Sequence, residues 1–326
     1  MKILPSIWRP IALAVLALVG ATASASPTDA EIQALYRDLV PQVRFDRIKG
    51  VYESVTSFGS RLTGSSGEAK TFDYVESRLK ALGVTGIRRQ TFPVTVPDPD
   101  ARGTLNLGGR DFTLFPLWPN LVRSSTCDVS GPLVYGGDGS LETFRGKDIR
   151  GSIVILEFGS ASRWRNAAKL GAKAIIFLES TEMNRGDAEQ KYSSVPIDVP
   201  RFYLPLAQAS PILDGARRGQ TATLKCKQEW LKRDSTILSA DLPGSDPALS
   251  REPMVLMAYA DAMSVVPGIA PGAEAIGGIA GLLETAEVWS KRPHKRPLRL
   301  VLAGGHHMGL SGARAFVQNQ FERKGG

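Results

Sequence analysis

Along this chain, apolar residues recur first at helical spacing, then at strand spacing, then in alternation of the two, which divides the sequence into three regions. A short, wholly apolar run from Ile11 to Val19 precedes them. Ile32, Leu35, Tyr36 and Leu39 then form one face of a helix that Thr28 and Glu31 open as a capping box. A second helix starts at about Asp46 and carries Ile48, Val51, Tyr52 and Val55. After a turn from Phe58 to Gly64, Ser65 and Glu68 read as another capping box, Phe72, Val75, Leu79 and Leu82 make the stripe, and Gly83 stops the helix.

From Thr91 to about Trp230 the pattern changes to short β-like runs broken by Pro and Gly, among them Thr104 to Leu107, Leu133 to Tyr135 and Ile153 to Phe158. A helix from about Arg163 to Leu170 leads through Gly171-Ala172 into Ala174 to Leu178, a βαβ-like step. At Ser235 strand and helix alternate again. Ile237 to Asp241 reads as a strand, Met254 to Tyr259 as a buried strand, Gly278 to Trp289 as a helix, Leu298 to Ala303 as a strand and Gly312 to Phe321 as a helix. The fold class these patterns predict is α/β, with helices on both faces of a sheet, interrupted by a mainly β module from about residue 95 to 232.

Composition adds a compartment. Lys2 and Arg9 before the apolar run, and Ala23-Ser24-Ala25 after it, make residues 1–25 read as a secretory signal, and the run is too short to span a bilayer. A periplasmic or secreted protein without a membrane span after cleavage is therefore expected. In an oxidising compartment the only two cysteines, Cys127 and Cys226, are expected to pair, and their spacing is not that of a zinc cluster. The formal charge of +8 includes two residues that leave with the signal. The densest basic stretch, Lys291 to Arg299, is broken by Pro293 and Pro297 and reads as a solvated turn, so nucleic acid is not an expected partner.

Three stretches lie just beyond strand ends, where open α/β sheets place their sites. They are Ala258-Tyr259-Ala260-Asp261, Pro271-Gly272-Ala273-Glu274 and Gly304-Gly305-His306-His307-Met308-Gly309-Leu310. With them the chain resembles the co-catalytic zinc exopeptidases, the bacterial leucyl aminopeptidases and their glutamate carboxypeptidase relatives, whose members read roughly A-H-x-D, P-G-A-D-D-N-x-S-G and E-E-x-G-L-x-G-S. Ser60-Arg61-Leu62-Thr63-Gly64 is similar to that family's N-terminal signature, and Ala240 to Asp246 to its approach to the first metal strand. Leu133 to Gly137, Ile149 to Val154 and Ala168 to Leu178 resemble the protease-associated domain that many members carry as an insertion.

The resemblance implies two zinc ions sharing a carboxylate and a water, with a neighbouring Glu taking the proton as that water attacks a peptide carbonyl. It also places substitutions at the positions that matter. Tyr259 stands at the first histidine ligand, a phenol that binds zinc poorly at neutral pH. Asp261 keeps the carboxylate that orients that ligand, Glu274 stands at or beside the bridging aspartate, and His306 and His307 replace the paired glutamates, proton acceptor and ligand. Members of the family continue well past the helix Gly312 to Phe321 and draw two more ligands from there, so the chain reads either as a fragment or as a protein that has lost half its site. At most one weakly bound zinc is expected, on His307 with Asp261 or Glu274, and loop histidines bonded to backbone or solvent are the alternative.

Two competing motifs are weaker. Gly309-Leu310-Ser311-Gly312 is one residue short of a nucleophile elbow, which leaves Ser311 as a helix-start residue. Gly277-Gly278-Ile279-Ala280-Gly281 lacks dinucleotide-loop spacing and fits close helix packing. Two functions follow: an exported zinc aminopeptidase-like protein acting on peptide N-termini but inactive or incomplete, or a non-catalytic ectodomain that uses the same scaffold to bind a peptide or protein.

Overall fold

The computed structural model describes residues 28–120, 124–183, 185–191 and 197–322; the signal expected at 1–25 lies outside them. The chain divides at Arg44. In the first unit, α1 (Asp29–Leu39) opens with the expected capping box, the Thr28 hydroxyl accepting from Glu31 N and the Glu31 carboxylate accepting from Thr28 N. No residue of α1 is buried, and Ile32, Leu35 and Tyr36 of its apolar stripe are exposed.

The second unit starts with α2 (Phe45–Thr56) and α3 (Ser66–Ala81), then β1 (Thr85–Pro97). Next come β2 (Gly103–Leu107), β3 (Arg110–Pro116), β4 (Cys127–Tyr135) and β5 (Ile153–Glu157), the one-turn helix α4 (Arg165–Lys169), and β6 (Ala174–Leu178). The short α5 (Arg185–Glu189), β7 (Arg201–Leu204), α6 (Ala209–Arg217) and β8 (Thr221–Cys226) complete the middle of the chain. The remainder is β9 (Trp230–Leu242), β10 (Met254–Tyr259), α7 (Ile276–Trp289), β11 (Leu298–Ala303) and α8 (Ser311–Glu322).

Strand pairing makes two bodies of this list. β1 and β9 form a long antiparallel ladder from Thr85 opposite Asp241 to Pro97 opposite Trp230, and β11 and then β10 extend it in the order β1-β9-β11-β10. β11 is antiparallel to β9, and β10 is parallel to β11. Everything between β1 and β9 closes into a barrel, β2-β3-β7-β6-β5-β4-β8. The inserted module therefore grows from the far end of a two-stranded ribbon that belongs to the other sheet.

The period-2 alternation of β9 and β11 decides the packing. Leu238, Ala240, Leu242, Leu298, Leu300 and Leu302 face Val51 and Val55 of α2, Phe72, Val75 and Leu79 of α3, and Ile276 and Ile279 of α7. The other face sets Phe92, Ile237, Val301 and Ala303 against Phe316 of α8. Each such leucine removed from water stabilises by about 1.5–3 kcal/mol. Inside the barrel Leu105, Phe112, Ile155, Phe202 and Leu224 form a separate core. A third cluster, with Phe158, Trp164 and Phe177, also includes Val265 and Val266 from the loop after β10.

Several expectations need correction. β10 is not a buried strand: it is the edge of its sheet, and Met254, Val255, Leu256 and Met257 are exposed by 62%, 47%, 36% and 38%. The apolar run forms the strand and Ala258 reaches the core beneath α7, but the four residues before it stand at the sheet edge with exposed side chains. The helix expected from Arg163 to Leu170 shrinks to α4, and α6 was not foreseen. Ser65 caps α3 through Glu68 N, but the Glu68 carboxylate turns away from the Ser65 backbone, so only half of the expected box exists. The glycines Gly277, Gly278 and Gly281 sit within α7 rather than in a loop, and a Cβ on Gly278 would stand 3.4 Å from that of Ala258, which is the close packing expected.

The expected bond between Cys127 and Cys226 is not formed; both stand as buried thiols. The two face each other directly in the β4–β8 ladder. The Cys127 Sγ, however, donates to the Leu224 carbonyl at 3.8 Å, along the neighbouring strand. Burial, with Cys127 next in effect, pushes the Cys226 thiol up to about 12. Alkylation at pH 8 should accordingly be negligible for Cys226 in the native protein and complete once guanidinium unfolds it, as read by intact mass without reductant. A second expectation concerns the insertion: deleting residues 95–232 and joining the ends by a short linker should leave soluble, cooperatively melting protein. Insoluble product from both the deletion and the isolated module would argue that the two cores fold only together.

Candidate functional site at the ends of β10 and β11

The parallel pairing of β10 with β11 brings their C-terminal ends side by side, Tyr259 opposite Ala303, and Ala260 N donates to Ala303 O at 2.9 Å. The chain must then turn sharply after β11. A Cβ at Gly304 would fall 2.0 Å from the Ser235 Oγ and 2.2 Å from the Glu68 Oε1, so only glycine fits. Gly305 follows at φ +70°, a conformation natural to glycine. The turn delivers His306 and His307 and ends at Ser311, the first residue of α8, whose hydroxyl donates to Gly305 O at 3.2 Å.

Asp261, fully buried, is the hub of the site. Its Oδ1 accepts from His306 N at 3.0 Å, and its Oδ2 accepts from His307 N at 3.1 Å and from the Thr63 hydroxyl at 2.9 Å. Tyr259 stacks on His306, ring centroids 3.9 Å apart and planes within 12°. His307 stands nearly perpendicular to both rings, 5.7 Å from Tyr259 and 5.0 Å from His306. Glu274 lies exposed on a 3-10 turn, Ala273–Ala275. The structure thus brings Tyr259, Asp261, His306 and His307 together.

Two buried ionisable side chains support this hub, and sequence reasoning gave neither of them a role here. Arg61 has no exposed surface; its Nε and Nη2 donate to the carbonyls of Pro271 and Gly272 at 2.9 and 2.8 Å, which holds the loop before α7. Burial pushes its guanidinium down to about 10, opposed by Asp261, Tyr259 and Glu68. Glu68, 2% exposed, accepts from Gly64 N at 2.6 Å and from the Ser235 hydroxyl at 2.8 Å. Those two donors favour its charged form, but burial wins and pushes the carboxyl up to about 8. A glutamate at the third position of a capped helix is so familiar as a box partner that its second use left no sequence signal.

Residues 238–325 match the sequence profile of peptidase family M28, and residues 129–212 match that of the PA domain. The likeness is carried by these two segments, each about a quarter of the chain. Two solved structures illustrate the likeness in fold. A zinc aminopeptidase from Bacillus subtilis is 22% identical with a TM-score of 0.54, over 83% of this chain and 64% of that one. A peptidase M28 precursor from Shewanella amazonensis SB2B is 20% identical with a TM-score of 0.53, over 90% and 72%. This chain therefore spans less than two thirds of the Bacillus enzyme. No curated protein is a significant match in sequence.

The donor set at the ends of β10 and β11 does not fit a zinc pair. Among the described residues, no three His, Cys, Asp or Glu side chains converge so as to hold a metal ion. Tyr259 is a phenol already stacked on an imidazole, and the Asp261 oxygens each accept hydrogen bonds from the protein itself.

Two predictions follow from the two carboxylates. Thr63→Val removes the side-chain donor to Asp261 and should cost about 1–3 kcal/mol, read as a lower denaturant midpoint. The Glu68 carboxyl is raised in the folded protein, so the stability it contributes is present while it is protonated and is lost as pH rises from its ordinary range through about 8. The Tm of the wild type should therefore fall between pH 6 and pH 9 more steeply than that of Glu68→Gln.

Proposed function

We infer that this chain is an exported peptidase-like protein that engages polypeptide at the ends of β10 and β11 and does not by itself carry out two-zinc hydrolysis. Its export is supported by the charged, apolar and small-residue pattern of residues 1–25. Its polypeptide ligand is supported by the M28 scaffold and the PA domain. The observation that carries the reading is the stacking of Tyr259 on His306 at 3.9 Å. The first-ligand and proton-acceptor positions of the family are packed face to face, and stacked rings present π surfaces to each other where a metal site needs converging lone pairs.

The chemistry that remains is recognition. Imidazole N–H and N groups, a phenol hydroxyl and the exposed Glu274 carboxylate offer donors and acceptors near a sheet edge, which suits a polypeptide backbone. His306 keeps the capacity of a general base, so turnover is the competing reading.

Elemental analysis of the dialysed protein, together with a panel of aminoacyl chromogenic substrates and added zinc, separates the two. The expected result is less than one retained zinc per chain and no chelator-sensitive turnover, with any weak zinc uptake abolished by His307→Ala. Two retained equivalents, or turnover at ordinary enzymatic rates that a chelator removes, would overturn the inference.

A further inference from the structure

The barrel carries a second candidate binding surface, away from the strand ends just described. The turn between β4 and β5 runs over the barrel wall, and its Lys147 and Asp148 form a ridge with a depression on either side. One depression, of about 290 Å³, has Phe144 and Ile149, both buried, beneath it, with Leu141 and Leu170 exposed by 66% and 37% beside them. The other, of about 520 Å³, lies between Tyr135 of β4 and Ala216-Arg217 at the end of α6. Among the residues lining the two, the cations Arg145, Lys147, Arg150 and Arg217 stand against the single carboxylate Asp148. All four cations are exposed.

We propose that this divided groove is a docking surface for an extended, acidic polypeptide segment bearing interspersed aliphatic side chains. Charge complementarity selects the sign of the partner: three of the four cations come from the turn 144–150, and Arg217 reaches the second depression from α6, where it is shared with Asp214. The apolar component selects a polypeptide over a bare polyanion, because Leu141 and Leu170 beside Phe144 and Ile149 make an aliphatic seat that a phosphate backbone would leave unused. Concavity selects against a membrane. Asp148 lines both depressions, so a uniformly anionic bilayer would meet a carboxylate at the centre of the surface, whereas an extended segment can place one side chain in each depression. The ridge is itself fixed, since Lys147 Nζ donates to Tyr135 O at 2.8 Å. The inference does not depend on whether the ends of β10 and β11 hydrolyse peptides.

Fluorescence anisotropy on the full chain tests it, with a labelled Glu-Glu-Leu repeat peptide as probe and Gln-Gln-Leu and Lys-Lys-Leu repeats as controls. The expected result is saturable binding of the acidic repeat only, weakened about tenfold or more by Arg145→Glu with Arg150→Glu, and weakened again by raised salt. Leu141→Ala with Leu170→Ala should weaken it without changing the salt dependence, and unchanged circular dichroism would show that the exposed substitutions leave the fold intact. Absence of binding, equal binding of the Gln or Lys repeat, or acidic binding that survives charge reversal would overturn the proposal. So would charge-dependent retention on phosphatidylserine vesicles or a single-stranded oligonucleotide when the acidic peptide does not bind.

Discussion

Asp261 emerges from the end of β10 into a fully buried position and accepts hydrogen bonds from three groups distant in sequence: the Thr63 hydroxyl and the backbone N–H groups of His306 and His307. A carboxylate in such a place is tolerated because its oxygens are met by donors, and each donor left unpaired would itself cost about 1–3 kcal/mol. The loop before α3, the end of β10 and the turn after β11 therefore hold one another in place. Arg61 extends the same constraint to the loop before α7 through two carbonyls.

Once those backbones are fixed, the side chains have little choice. Tyr259 is the last residue of β10, and Asp261 follows it two residues on. His306 and His307 are adjacent and diverge, which is why one imidazole lies flat on Tyr259 and the other meets it edge-on. Asp261 thus holds the framework of the site, and the side chains around it form a small aromatic cluster.

The inserted barrel is tied to this framework as well. Val265 and Val266, in the loop that follows Asp261, pack into the cluster around Phe158, Trp164 and Phe177, and Trp118 N donates to Val265 O at 2.7 Å. Gly268 lies against Pro99 and Phe115, so close that an added Cβ would stand 3.0 Å from the Pro99 carbonyl. The loop between β10 and α7 is consequently shaped from both sides, by Arg61 beneath it and by the barrel beside it.

Periodicity alone located most of the elements: the stripes of α2 and α3, the strands from Ile153, Ala174 and Leu298, the helix α7, and the Thr28 cap are local patterns that a short window contains. Tyr259 ends β10, and Asp261, His306 and His307 follow strand ends, the places the sequence singled out. Tertiary structure decided what each group does. Whether Met254 to Met257 are buried depends on which strands flank them, and the order β1-β9-β11-β10 puts them at an edge, something no window of six residues encodes. Glu68 serves Gly64 and Ser235 instead of its own cap because β9, more than 160 residues onward, brings Ser235 beside it. Cys127 and Cys226 meet across a ladder and both stand as thiols, with the Cys127 sulfur donating to a carbonyl of the neighbouring strand, a detail that register alone does not decide. Sequence fixes the period of each segment, and with it the faces that seek burial; which partner meets each face is a property of contacts between distant segments, and those exist only once the chain has folded.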